Sequence, residues 1–323
     1  MLDSVAKAKS TGKPVVIDAL TDVASKTVVN PDGKLTTTDN AQPVRVKQGN
    51  GWADLDATLR QNSDGTVSPA VASTALALSG GGSGPMATVS TADGKKLSVG
   101  APFALPKPVL NGATATYANV LPGVDLQLTA LPIGGWRDVI VVRTPEAAVN
   151  PALKTLRFPI TAQGLTVTSD DQGRIDVKDE KGALRFRSPS PLQWDSSTPP
   201  AAGPAAASKA VKSAVAAAAA PAADPAPAAG IRSSAEEPGD GANVAAISTK
   251  VTSSAIELTP NQDALGSGTG PWYLDPSLVA TSSVQGAVEV QENHKTAENF
   301  NKKSKPGHRL LRLPQQRPEP GLR

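Results

Sequence analysis

Turn-forming sequences interrupt the first part of this chain about every 8–15 residues, which is the spacing of an all-β protein. Asn30-Pro-Asp-Gly33 and Asn62-Ser-Asp-Gly65 each end in a glycine that can adopt positive φ. Between such turns the runs are short and apolar residues alternate with polar ones, as Val124, Leu126 and Leu128 do. The sequence therefore predicts an all-β fold, an antiparallel β-sandwich or super-sandwich.

Composition limits which parts of the chain can pack. Among 323 residues there are 29 prolines and 28 glycines, but only four Trp, four Phe and two Tyr. A core must therefore consist mainly of Val, Leu and Ile, which suit short pleated strands. The chain has no cysteine, which excludes a disulfide framework and a cysteine-based zinc site. No run of 18 apolar residues occurs, so no membrane span is predicted.

Two local patterns stand out from the alternating strands. Asp138-Val-Ile-Val-Val142 is apolar on both faces and predicts a fully buried central strand. Thr144-Pro145-Glu146 predicts one short helix, with Thr144 as N-cap and Pro145 at the first helical position, ended by Asn150-Pro151.

Shifts in composition divide the chain into segments. From Ser196 the sequence becomes rich in Ala and Pro, which predicts a long disordered insertion, and β-like patterns return with Val251–Pro260 and Trp272–Pro276. The predicted segments are a lead-in with one helical turn (1–13), a β-rich domain (14–195), the Ala/Pro-rich disordered linker (196–245), returning β-strands of the same or an adjoining β domain (246–301) and an aberrant basic tail (302–323).

One hairpin carries a resemblance to a known family. Tyr117, Val120, Pro122-Gly-Val-Asp-Leu126 and Leu128 resemble the "Tyr-x-x-Val-x-Pro-Gly-Val-Asp-Leu-x-Leu" signature of large secreted actinobacterial surface proteins of the Streptomyces type. Those proteins carry LamG-like, DNRLRE-like or RHS/YD-repeat modules further along the chain. Further segments are similar to the same family, among them Gly51-Trp52, the loop Ser79–Pro85, and Ser188–Asp195 with its Trp-Asp ending.

The resemblance also implies that both ends of the sequence differ from the family. Relatives carry a leader before a segment like Val5–Val15, which predicts that Met1 is a misplaced start and that the leader is missing. From His308 a one-base shift, with suitable synonymous codons, reads Thr-Gly-Tyr-Cys-Gly-Tyr, a stretch that relatives carry near this point. We therefore predict a frameshifted tail and a truncated fragment of a longer protein.

No residue pattern in the body indicates catalysis. Both histidines, His294 and His308, lie near the C-terminus, so no Ser-His-Asp triad can form in the body. The paired acids Asp54 with Asp56, Asp170 with Asp171, and Asp179 with Glu180 precede or adjoin turns and are interpreted as turn formers. The basic tail is interpreted as solvated or artefactual, not as a nucleic-acid site. We predict no enzyme activity, no cofactor and no metal site.

Six residues are singled out as a structural signature or as ligand contacts: Tyr117, Pro122, Gly123, Asp125, Trp52 and Trp194. Asp125 is interpreted as an outward strand residue that binds the amides of the turn. The four tryptophans are interpreted as buried residues that fill the core at the sheet edges. The alternative is that they stack on sugar rings, which requires two or more Trp exposed on one face.

The resemblance implies a function for the whole chain. It is a non-enzymatic structural or presentation region of a secreted cell-surface protein, located at the cell surface or outside the cell, with the downstream modules of the parent protein as partners. A carbohydrate- or cell-wall-binding β-sandwich module that recognises cell-wall glycan is the alternative, and the scaffold region of an RHS-type polymorphic toxin is a second. A hydrolase fragment is disfavoured because the body has no histidine and few aromatic residues.

Overall fold

The computed structural model describes residues 2–199 and 231–280, and the backbone of two short paired strands, β25 and β26, defined below. Residues 200–230 of the predicted disordered linker (196–245) and the predicted aberrant tail (302–323) lie outside the described residues. The chain divides into two compact units, one containing the residues up to Ala53 and those after Thr281, and the other running from Asp54 to Thr281.

The first unit begins with a helix. Its elements are α1 (Leu2–Thr11), β1 (Val15–Val16), a 3-10 turn (Asp18–Leu20), β2 (Ser25–Val29), β3 (Leu35–Asp39), β4 (Arg45–Gln48) and β5 (Gly51–Asp54). Strands β1, β2 and β3 form an antiparallel sheet, and β4 pairs with β5.

Helix α1 is longer than the single turn predicted for the lead-in. Ala8 is fully buried with Ile17 and Val29, and Val5 packs against the same cluster, so tertiary packing stabilises ten helical residues. The helix ends at Gly12, whose φ of +65° suits a C-terminal cap and whose amide donates to the Ala8 carbonyl at 3.0 Å. The sequence pattern indicates only one turn because the buried stripe of this helix is one or two residues wide.

The second unit consists almost entirely of strands. In chain order they are β6 (Asp56–Gln61), β7 (Val67–Val71), β8 (Ala75–Leu78), β9 (Pro85–Ser90), β10 (Lys96–Gly100), β11 (Val109–Asn111), β12 (Thr114–Leu121), β13 (Val124–Ala130), β14 (Gly135–Val142), β15 (Leu156–Gln163), β16 (Leu165–Ser169), β17 (Ile175–Asp179), β18 (Leu184–Ser188), β19 (Leu192–Trp194), β20 (Val244–Ala246), β21 (Ser248–Val251), β22 (Ala255–Thr259), β23 (Trp272–Asp275) and β24 (Ser277–Ala280). In the first unit, β25 (Val288–Glu289) pairs with β26 (Asn299–Phe300).

Strands β6 to β24 form two antiparallel sheets. Sheet I has eight strands in the order β21-β22-β15-β10-β9-β8-β7-β6. Sheet II has eleven, with the main order β11-β12-β13-β14-β24-β18-β17-β16; β23 continues β24 along β14, and β19 and β20 extend from β23. Inward residues of both sheets form one cluster, to which sheet I contributes Val89 and Leu97 and sheet II Leu126 and Ile140. The predicted all-β sandwich is therefore confirmed.

The predicted short helix is also present. Helix α2 (Pro145–Ala148) follows β14, and the Thr144 hydroxyl accepts a hydrogen bond from the Ala147 amide at 3.3 Å. A 3-10 turn (Pro151–Leu153) follows and leads into β15. Strand β14 is buried on both faces, since Ile140 faces the sandwich core while Val139 and Val141 pack on the outer side of sheet II.

The chain after the insertion completes both sheets. Strand β22 pairs with β15 through Leu258 opposite Leu156, and β23 lies between β14 and β19 with Leu274 opposite both Ile140 and Gln193. Residues 231–245, which composition predicts to be part of the disordered linker, are instead ordered against this body. Their order comes from tertiary contacts, described below, that local composition does not reveal.

Candidate functional site

The signature hairpin, formed by β12 and β13, contacts the glycine-rich loop Ser79–Pro85 across the sandwich. Tyr117, on β12 of sheet II, is fully buried, and its hydroxyl donates to the Ser79 carbonyl at the end of β8 in sheet I, with an oxygen–oxygen distance of 2.5 Å. Burial raises the pKa of the Tyr117 hydroxyl above its ordinary value, so it remains a donor. Tyr117 therefore links the two sheets.

Close packing explains two of the four glycines in this loop. A Cβ on Gly80 would lie 1.8 Å from the Gly65 carbonyl oxygen, and one on Gly81 would lie 2.8 Å from the Pro106 carbonyl oxygen. Gly81 also has a φ of +99°. The loop leads directly into β9.

The turn of the signature hairpin is equally constrained. Leu121 pairs with Val124, so Pro122 and Gly123 form a two-residue loop. Pro fixes φ at the first position, and Gly123 has a φ of +74°, as at the second position of a type II turn. A Cβ on Gly123 would lie only 2.9 Å from the Ala147 Cβ of α2, so the helix rests directly on this turn.

The prediction that Asp125 binds the amides of the Pro122-Gly123 turn is wrong. The Asp125 carboxylate binds a bulge in the preceding strand, β12. Its Oδ1 accepts from the Asn119 amide at 2.7 Å, and Arg143 Nη1 lies 3.4 Å from its Oδ2. Arg143 also donates to the Asn119 side-chain oxygen, and Asn119 has a φ of +54°. The register of β12 shifts between Tyr117 and Leu121, which brings the Asn119 amide to the carboxylate. Asp125 is thus part of an internal structural network.

The tryptophans do not form an exposed platform. Trp136, Trp194 and Trp272 are buried, at 1%, 3% and 3% exposure, and Trp52 is half-buried in the first unit. The condition stated above for stacking on glycan rings, two exposed Trp on one face, is therefore not met.

Trp194 instead belongs to a cluster on the outer side of sheet II. Its ring stacks on Tyr273 with centroids 5.5 Å apart, and the Arg137 guanidinium lies 5.8 Å from the ring centre. Arg137 in turn pairs with Asp275, at 3.0 Å from Nε to Oδ2. Residues 231–242 cover this cluster: Ala235 and Ala242 pack against it, and the Trp194 indole donates to the Ser234 carbonyl at 3.1 Å.

Asp195 joins the two ends of the Ala/Pro-rich segment. Its Oδ1 accepts from the amides of Ser197 (3.1 Å) and Asn243 (2.8 Å), and its Oδ2 accepts from the side chains of the same two residues, at 2.6 and 2.7 Å. Ser233 donates to the Asp195 carbonyl at 2.7 Å. Burial pushes the pKa of Asp195 up, but these hydrogen bonds outweigh it and the pKa is lowered.

Asp138, predicted above only as the first residue of an apolar strand, is a buried acid. It is 4% exposed, faces the core, and accepts from the Trp136 indole at 3.1 Å. A cavity of about 30 Å³, large enough for one or two waters, lies beside it, lined also by Ser188 and Pro276. Burial raises the pKa of Asp138 well above its usual range, and the negative charge of Asp275 raises it further. The available signal was an acid directly before the Val139–Val142 run, in the same strand alternation as Ile140 and Val142.

The predicted acid pairs do not converge on a cleft. Asp170 binds Arg174 and the amides of Gln172 and Arg174, and Asp179 binds Arg185 and the amides of Lys181 and Ala183. These are turn and ion-pair contacts of the kind expected for Asp-rich turns. Within residues 2–199 and 231–280 no group of three potential metal ligands comes together.

Comparison with known proteins adds no relative. No family model, curated protein or solved structure matches this chain. Among the residues with described structure, no helix is both long and apolar enough to cross a membrane.

Proposed function

We propose that this chain is a non-enzymatic presentation region of a longer secreted protein, located at the cell surface or outside the cell. The observation that carries the proposal is the double attachment of the Ala/Pro-rich segment to Asp195. Both ends of that segment, at Ser197 and Asn243, bind one carboxylate that is 2% exposed. A folded body that fixes both ends of the long Ala/Pro-rich segment can accept extra residues within that segment without losing its own fold.

The role of the motifs within the sandwich supports this proposal. Tyr117, Gly123 and Asp125 all engage other parts of the same body, so the signature specifies the fold itself. The resemblance to secreted modular proteins supplies the setting, in which such a body precedes further modules.

The proposal is tested by inserting a passenger. An epitope peptide that replaces residues 205–225 should leave the thermal unfolding midpoint of the body unchanged and should be accessible to antibody on the folded protein. A matched control places the same peptide at Pro122-Gly123, against α2, where it should abolish cooperative unfolding. The same protein is then titrated against purified peptidoglycan and a glycan array, and no saturable binding is expected.

Two results would overturn the proposal. One is loss of the folded body when the passenger occupies 205–225. The other is saturable glycan binding by the unmodified chain, which would favour the binding-module alternative.

A further inference from the structure

Residues 231–280 fill a slot in the rest of the sandwich. In sheet II, β23 and β24 form one register along β14: Val142 is opposite Trp272, Ile140 opposite Leu274, and Arg137 opposite Ser277. On their other side they pair with β19 and β18. Without this segment β14 would have no neighbour on that side, and sheet II would separate into β11–β14, β16–β18 and an unpaired β19.

The same segment supplies buried side chains to the core. Leu258, Trp272 and Leu274 join the main cluster, and Tyr273 packs on Trp194 on the outer side of sheet II. In sheet I, β22 covers the edge of β15 over four residue pairs. The segment therefore has the two components of strand complementation, a main-chain ladder and side chains set into pockets.

Polar contacts fix the segment in register. The Gln193 side chain donates to the Asn261 carbonyl at 3.0 Å and accepts from the Asn261 amide at 2.7 Å. Ser196 donates to the Pro271 carbonyl at 2.7 Å, and Arg137 pairs with Asp275. Together with the Asp195–Asn243 bonds, these contacts join residues on either side of positions 200–230.

We propose that residues 231–280 act as a docking element that holds the C-terminal part of the chain on the body without covalent continuity. A chain cut anywhere between positions 199 and 231 then remains one assembled, two-piece protein. The segment that occupies this place in the sandwich is residues 231–280 of the same chain. The interface consists of a strand ladder in each sheet and a shared hydrophobic core. Whatever follows residue 280 would stay attached to the body after such a cut. This inference does not depend on the presentation role.

The test uses the full chain with a recognition sequence for a specific protease placed at residues 212–218. After cutting under native conditions, both pieces should coelute in size exclusion at the mass of the uncut chain, and a single cooperative thermal transition should remain. They should separate in concentrated guanidinium. Pieces that separate on the native column at micromolar concentration, or a cut chain that has lost its cooperative transition, would overturn the inference.

A matched pair of variants ties the result to the slot. Trp272→Ala should raise the dissociation constant of the cut pieces about 30-fold or more, as loss of a buried aromatic anchor does. Val244→Ala, at a position half exposed on the edge strand β20, should leave it unchanged. Thermal unfolding of the uncut Trp272→Ala chain shows whether this variant still folds. If it does not fold, size exclusion of the cut wild-type chain over a series of dilutions decides whether the two pieces bind each other. Equal dissociation constants for the two variants would contradict the proposed interface.

Discussion

Asp195 accepts two hydrogen bonds from Asn243, one from its main-chain amide at 2.8 Å and one from its side chain at 2.7 Å, although 48 positions separate the two residues. Between them lies nearly all of the Ala/Pro-rich segment, residues 196–242. Strand β19 ends immediately before Asp195 and β20 begins immediately after Asn243, so the pair closes a hairpin with a very long loop. Closure of such a loop costs entropy that grows with its length, and a buried, multiply bonded carboxylate offsets it.

We expect Asp195→Ala to destabilise the body by about 2 kcal/mol, because buried donors from Ser197 and Asn243 lose a charged acceptor. Denaturant unfolding followed by Trp fluorescence measures the change. Asp240→Ala, at the surface of the same covering segment, is the comparison and should cost less. An Asp195→Ala variant as stable as the wild type would show that the closure is held elsewhere.

The same carboxylate predicts an acid dependence. Since the folded state lowers the pKa of Asp195, its stabilisation is complete above the pKa of the unfolded chain and is lost as the pH falls through the folded value. The stability difference between wild type and Asp195→Asn should therefore shrink below about pH 4. A difference that stays constant from pH 7 to pH 3 would contradict the assigned hydrogen bonding.

Local signals in the sequence identified the elements but not their partners. Turn glycines, the Thr144 cap and the alternation around Val124–Leu128 each depend on a few adjacent residues, and the structure has a turn, a helix and a strand there. The bonds of Tyr117 to Ser79 and of Asp195 to Asn243 join distant positions, and no local pattern specifies such pairs. The same reason explains why 231–245 was assigned to the linker and why Asp138 was not recognised as a buried acid.

The bond between Tyr117 and Ser79 predicts a modest but measurable effect. Tyr117→Phe keeps the buried ring and removes the hydroxyl that reaches the Ser79 carbonyl, so the unfolding free energy should fall by about 1–3 kcal/mol. Val109→Ala, 69% exposed on β11, should change it by less than about 0.5 kcal/mol. Equal stabilities of Tyr117→Phe and wild type in guanidinium unfolding would show that the inter-sheet hydrogen bond contributes nothing.

The contact of α2 with the signature turn can be separated from backbone strain. Gly123 has positive φ, and a Cβ added there by Gly123→Ala would lie 2.9 Å from the Ala147 Cβ. Gly112 also has positive φ, at +56°, but a Cβ added there would have no atom within 4 Å. We expect about 1 kcal/mol of destabilisation for Gly112→Ala from strain alone, and about 2–3 kcal/mol for Gly123→Ala. Adding Ala147→Gly to Gly123→Ala should recover part of the loss, which a double-mutant cycle measures. Failure to recover any of it would place the cost in the turn alone.

Asp138 predicts a pH dependence of opposite sign to that of Asp195. The pKa of Asp138 is raised in the folded state. At pH values between the pKa of the unfolded chain, about 4, and the pKa of the folded protein, Asp138 is protonated in the native state but ionised in the unfolded chain. Stability contributed by this group is therefore greatest at low pH and falls as the pH rises, by about 1.4 kcal/mol per pH unit across that window. Asp138→Asn keeps an acceptor for the Trp136 indole but cannot ionise, so its stability relative to wild type should increase steadily from pH 4 upward. Unfolding free energies of both proteins from pH 3 to pH 9 measure this slope, and parallel curves would mean that Asp138 ionises as readily in the folded sandwich as in water.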